Sequence, residues 1–163
     1  MTADAGNETS LYKALDSIHE NFGYAEMILY NAYARVLKPI GGETWESIVQ
    51  QLAVNAGGAF HLLKRELPFC KIRNKGKLFF TGGGLSIYPQ PNFTGLGIGK
   101  AALRNLVAGA AASVQGTPIH IATVTVCGFV KDGDPKYSPQ SIAALYWDLF
   151  NQQEGEFQTE IIY

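Results

Sequence analysis

The sequence predicts an α/β fold, a parallel sheet flanked by helices, and three observations predict it. Residues 78–84 read as a buried strand leaving through a glycine-rich loop, and after Pro89 and Pro91 a long small-residue helix follows around Lys100, Ala101, Ala102, Leu103 and Arg104. Strand, loop and helix in that order are half of a βαβ unit, in which the loop at the strand's carboxyl end carries the chemistry. Ile119–Val126 alternates and is rich in β-branched residues, a strand pattern. Between and around these lie apolar residues at helical spacing, the crossovers that a parallel sheet requires.

In chain order, Asn7, Glu8, Thr9 and Ser10 are capping residues ahead of Leu11, Leu15, Ile18 and Phe22, one apolar stripe on a helix that Gly23 ends. Residues 25–30 read as a buried strand, with Asn31 and Ala32 as its exit. Thr44 caps the next helix, with Trp45, Ile48, Val49, Leu52, Ala56, Phe60, Leu63 and Leu67 at a 3.6-residue period. Asn55 interrupts that stripe, and a buried amide left unpaired costs about 1–3 kcal/mol, so it is either satisfied locally or placed there for a site. Pro68 and the polar stretch 71–77 are expected to end this helix, with Gly76 turning the chain into the central strand. Past Lys100 come Leu106, Val107 and a run of alanines, which let helices approach closely. After the polar loop 131–137, Ser138 and Pro139 open a last helix through Ile142, Leu145, Trp147 and Phe150, and a short strand closes the chain at 160–163.

At 163 residues the chain is one domain's worth, with 47% hydrophobic and 17% charged residues and eighteen glycines. A net charge of −1 gives no footprint for nucleic acid or for an anionic membrane surface, and neither partner is expected. Cys70 and Cys127 are far apart in apolar surroundings and read as buried thiols, with no metal site and no disulfide. The start, Met1 to Ala5, has neither a basic nor a long apolar region, and no run approaches a membrane span, which points to the cytoplasm. Asn7-Glu8-Thr9 and Asn92-Phe93-Thr94 fit the glycosylation pattern only by chance in such a chain.

Gly95, Gly97, Gly99 and Lys100 suggest a phosphate-cradling loop, but the spacing fails. A P-loop needs glycine where Thr94 stands and a Ser or Thr where Ala101 stands. Strand, glycine turn, proline and Lys-Ala-Ala-Leu instead resemble the central segment of the short-chain dehydrogenase/reductase family. The resemblance implies a partial Rossmann-like fold, a doubly wound, mostly parallel sheet with helices on both faces, lacking the N-terminal βαβαβ part: a single truncated domain over residues 1–163. It runs over essentially the whole chain, supported most by the order of elements.

The resemblance implies an NAD- or NADP-dependent oxidoreductase acting on a small carbonyl or alcohol, and a homo-oligomer, dimer or tetramer, whose four-helix bundle uses the Asn55 and Lys100 helices. It carries Lys100 and Asn55 over as catalytic residues, the run Val54 to Phe60 looking like the family's asparagine helix. It carries Asp4, Asn31, Ala32, Lys100 and Gly128 over as cofactor-binding residues. Two positions depart from the family: the tyrosine falls on Leu96 and the serine on Gly83. Tyr33 stands where the family has glycine, Cys127 where it has proline, and no G-x-x-x-G-x-G occurs in the first thirty residues. Weak or absent activity is therefore expected, with Ser86 and Tyr88 as the groups near enough in sequence to substitute. Without a preceding strand, 27–30 becomes a sheet edge, which is expected to be paired with another chain or covered.

Two further readings remain open. One is a non-catalytic homologue serving as an oligomerisation or regulatory module. The other is a hydrolase or lyase using Ser86 or His61, for which no nucleophile–base spacing is present.

Overall fold

Four strands, all parallel, make one sheet in the order β1-β2-β3-β4 in the computed structural model, which describes residues 2–163. Met1, the first residue of the start read for targeting, lies outside the described residues. The strands are β1 (Met27–Tyr30), β2 (Gly76–Gly83), β3 (Ile119–Val126) and β4 (Glu160–Ile162). Between them run helices α1 (Glu8–Phe22), α2 (Trp45–Leu52), α3 (Gly58–Arg73), α4 (Thr94–Ala112) and α5 (Pro139–Asn151). Among the described residues no helix is long and apolar enough to cross a membrane.

The period-2 geometry of strands sorts β2 and β3 onto two cores. Leu78, Phe80, Ile119 and Ile121 face α3 and α4, packing with Leu62, Leu63, Leu103 and Val107. Phe79, Ala122 and Val124 face the other way, against Ile142, Tyr146 and Leu149 of α5. Helices thus cover both faces, and every residue of β3 is buried, as a central parallel strand requires. Strand β1 lies at the edge: Met27 and Ile28 are half-buried and Leu29 is 37% exposed, so it is less buried than its apolar run suggests.

The helix beginning at Thr44, whose side chain accepts from Ser47 N, does not stop at Pro68. It continues through α3 to Asn74, which takes the left-handed conformation (φ 49°) and closes the helix with its N–H. Proline removes one helical hydrogen bond, but Phe69 packs its ring on His19 and Tyr24, and Cys70 is buried, so packing beyond the proline holds the last turn. A π turn, Ala53–Gly57, joins α2 to α3. Its extra residue rotates the helix, so the buried side becomes Ile48, Gln51, Asn55, Ala59, Leu62 and Glu66, while Trp45, Val49 and Phe60 are exposed. In α5 likewise Tyr146 and Leu149 are buried and Trp147 is exposed. Cys70 is buried as expected; Cys127 is half-exposed.

Helix α1 starts where its caps predict, with Asn7 accepting from Ser10 N and Gly23 at φ 76° after its end. Of its apolar stripe Leu15 is buried, whereas Phe22 is 85% exposed. The C-terminal half is held to α3 by polar contacts instead: Arg65 pairs with Asp16, and His19 Nε2 lies 3.2 Å from Glu66 Oε2. Glu66 is 1% exposed and its Oε1 has no partner. Burial raises its pKa, against the lowering pull of His19 and of Arg65 and Arg73. A carboxyl whose folded pKa is raised favours the fold below its unfolded value, and that contribution disappears as pH rises through the folded value. Glu66→Gln is therefore expected to gain about 1 kcal/mol on wild type between pH 5 and pH 8, read from urea denaturation at the two values. An unchanged difference would show that the carboxyl is not ionising in the fold.

Candidate active site

Helix α4 lies unusually close to the π turn, and its glycines explain how. A Cβ on Gly95 would overlap the Gln51 amide, and one on Gly99 would stand 2.5 Å from Asn55 Cβ. These two glycines, four residues apart on one helical face, form a packing seam rather than an anion-binding loop. The seam sets Asn55 against the turn of α4 that carries Lys100, at the carboxyl end of β2.

Asn55 is fully buried, and its amide is spent on one residue of the chain that leaves β1. Oδ1 accepts from Ala34 N and Nδ2 donates to Ala34 O, each at 2.9 Å. Of the two explanations open at the sequence level, this geometry supplies the partners that local satisfaction asks for. The π turn around Asn55 is of the kind frequent at functional sites.

Lys100 is 8% exposed, and its Nζ donates to Thr81 O at 2.7 Å. Burial pushes its pKa down to about 8. Gly83 lies along the lysine stem, where a Cβ would stand 3.4 Å from Cγ and Cε. Leu96, one turn before Lys100, is buried. Neither position offers a hydroxyl for proton transfer. Ser86 donates to Gly83 O at 2.8 Å, and Tyr88 is 62% exposed, so neither is held as a replacement acid.

The expected cofactor residues are scattered in their present bonding. Asp4 is exposed and its Oδ1 accepts from Gly6 N at 2.9 Å, closing a local turn. Asn31 is exposed, Ala32 packs against the α3–α4 core, and Tyr33 is 58% exposed beyond them. The Tyr137 ring occupies the space beside Gly128 where a side chain would go. Lys100 presents its amine at the carboxyl end of β2. The glycine-rich exit of β2 is not an open cradle for a pyrophosphate, because Gly83 lies along the Lys100 stem and Gly84 lies against Cys127. No group of three or more His, Cys, Asp or Glu arranged for a metal occurs among the described residues.

Sequence reasoning missed a second polar cluster beside this one. Arg104, one turn after Lys100, grips Glu160 of β4 with Nε and Nη2 at 2.8 Å each, and Thr125 Oγ1 donates to the same carboxylate at 2.5 Å. The Arg104 guanidinium and these hydrogen bonds hold the Glu160 carboxyl below its usual range. This strut ties α4 to the last strand. Its partners lie 56 residues apart, a separation that no local pattern signals.

The sequence pattern of the short chain dehydrogenase family matches residues 1–137. Among curated proteins no relative matches. Three solved structures share the fold at low identity. Serine dehydrogenase from Escherichia coli has a TM-score of 0.88 at 17% identity, covering 99% of this chain and 73% of that one. A metagenomic short-chain oxidoreductase in complex with NADP has a TM-score of 0.88 at 16% identity, covering 99% and 71%. An alcohol dehydrogenase from the archaeon Thermococcus sibiricus, complexed with 5-hydroxy-NADP, has a TM-score of 0.86 at 21% identity, covering 99% and 72%. The all-parallel sheet doubly covered by helices, the lysine helix seated on the asparagine turn, and a family match over most of the residues make one case: the chain belongs to the short chain dehydrogenase family.

Proposed function

We propose that this chain is by descent an NAD- or NADP-dependent oxidoreductase for a small carbonyl or alcohol, and that with these 163 residues alone it turns over weakly or not at all. The observation that carries the reading is the seam at Gly99, which sets Asn55 against the lysine helix while Leu96 and Gly83 occupy the neighbouring proton-transfer positions. In this reading Lys100 and Asn55 are the catalytic remnant, and Asp4, Asn31, Ala32 and Gly128 line the nucleotide path. Residues 1–163 act as a single domain in the cytoplasm.

A second reading, a non-catalytic oligomerising module, is favoured by an apolar groove. Val49, Leu52, Ala56, Phe60, Ala102 and Leu106 line it between the α2–α3 helix and α4. In a homo-oligomer, dimer or tetramer, this groove and the free edge of β1 are the faces to be covered.

Titrating the chain with NADH and NADPH by fluorescence, with a small aldehyde present and light scattering in parallel, tests both readings. Saturable nucleotide binding supports the first. A dimer or larger assembly without binding supports the second, and a monomer without binding removes both.

A further inference from the structure

We propose that the cleft between α4 and the strands β3 and β4 is a binding site for a small neutral polyhydroxylated molecule, a polyol or a monosaccharide. Its volume is about 360 Å³, within the roughly 300–1,000 Å³ of small-molecule sites. None of the catalytic or nucleotide-path residues of the oxidoreductase reading lines it, so the inference stands apart from that reading.

Thr123 of β3 lines the cleft and is 2% exposed. Its methyl packs toward Gly82, and among the described residues its Oγ1 has no hydrogen-bond partner. The neighbouring threonine hydroxyls are paired, Thr125 with Glu160 and Thr81 with Tyr146. A buried hydroxyl is as a rule hydrogen-bonded, so whatever enters the cleft has to supply the partner that Thr123 lacks.

The rest of the lining sets the chemistry of that partner. Arg104 spends Nε and Nη2 on Glu160, which leaves Nη1 as a donor. Glu160 Oε2 receives Nη2 and keeps a lone pair, so the ion pair presents a donor beside an acceptor. Ser86 Oγ is committed as a donor to Gly83 O and can only accept from the cleft. Asn105 and Thr159, both exposed at the rim, add an amide and a hydroxyl. The charges lining the cleft cancel within one pair, so neither an anion nor a cation finds an unmatched charge there. Adjacent hydroxyl groups, each able to donate and accept, match this surface. The small side chains of Ala101 and Ala108 keep the space open. With an open rim and no net charge, a Kd of about 1 mM is expected.

The test is titration of the full, ¹⁵N-labelled chain with D-glucose and with myo-inositol, with inorganic phosphate as the charged control, followed by NMR. Saturable shifts are expected with a polyol, and not with phosphate, at the Thr123 and Thr159 amides and the Asn105 side-chain NH₂. Thr123→Val removes only the hydroxyl and is expected to weaken binding about 10-fold. Its urea midpoint should not fall, because that hydroxyl has no protein partner to lose. Ala108→Leu fills the cleft from an exposed helical position and should abolish the shifts. No saturable shift with either polyol up to about 50 mM, an equal response to phosphate, or shifts that persist undiminished in either variant overturns the proposal. The first two comparisons are made on the wild-type chain and do not depend on any variant folding.

Discussion

Asn55→Ala is expected to lower stability by about 3–5 kcal/mol, one of the largest losses available to a single polar side chain here. The change leaves the half-buried Ala34 N–H and C=O without their side-chain partners, at up to about 1–3 kcal/mol each, and opens space against Gly99. Asn55→Asp keeps the acceptor for Ala34 N but loses the donor to Ala34 O and buries a carboxylate, so it should be no milder. Urea denaturation of the two variants checks this. A loss under 1 kcal/mol for alanine would mean that the 31–39 segment is held by other contacts, and that the asparagine stands in the π turn for chemistry alone.

Gly58→Ala is the second large effect, with an expected loss of about 2–5 kcal/mol. A Cβ at Gly58 would overlap the Tyr30 hydroxyl and the Ala5 carbonyl. Tyr30 is buried, with its pKa pushed up to about 12 chiefly by that burial, and its hydroxyl donates to Val54 O at 2.6 Å inside the π turn. A methyl group there displaces the ring, leaves the hydroxyl unpaired and pushes out the segment ahead of α1. Gly57, next to it, has only Leu52 O at 3.5 Å beside its Cβ position, so Gly57→Ala is the matched control and is expected to be nearly neutral or slightly stabilising. Equal losses in the two variants would show that the π turn as a whole resists a side chain and that the Tyr30 contact is not the cause. Thermal melts of the pair decide it.

Both predictions fall on the run Val54 to Gly58, which shows how the sequence and the fold divide the information. The oddity of an asparagine in an apolar stripe, followed by two glycines, was plain from the residues. Its partners were not, because Ala34 and Tyr30 are 21 and 24 residues from the groups they bond. For the glycines near Lys100 the spacing already excluded a phosphate loop, but only the approach of Gln51 and Asn55 shows that they form a helix seam.

The sequence by itself determined the order of strands and helices, the caps at Asn7, Thr44 and Ser138, and β3 as a strand. These are local matters of spacing, propensity and residue type, which the chain states wherever it is read. Tertiary structure alone decided that the helix runs through Pro68, that a π turn rotates its buried face, and that Asn55, Glu66 and Arg104 are spent on Ala34, His19 and Glu160. Each of these depends on what a distant segment brings to the same place, and burial makes an unpaired polar group costly enough that such distant pairings, rather than local preference, fix the final arrangement.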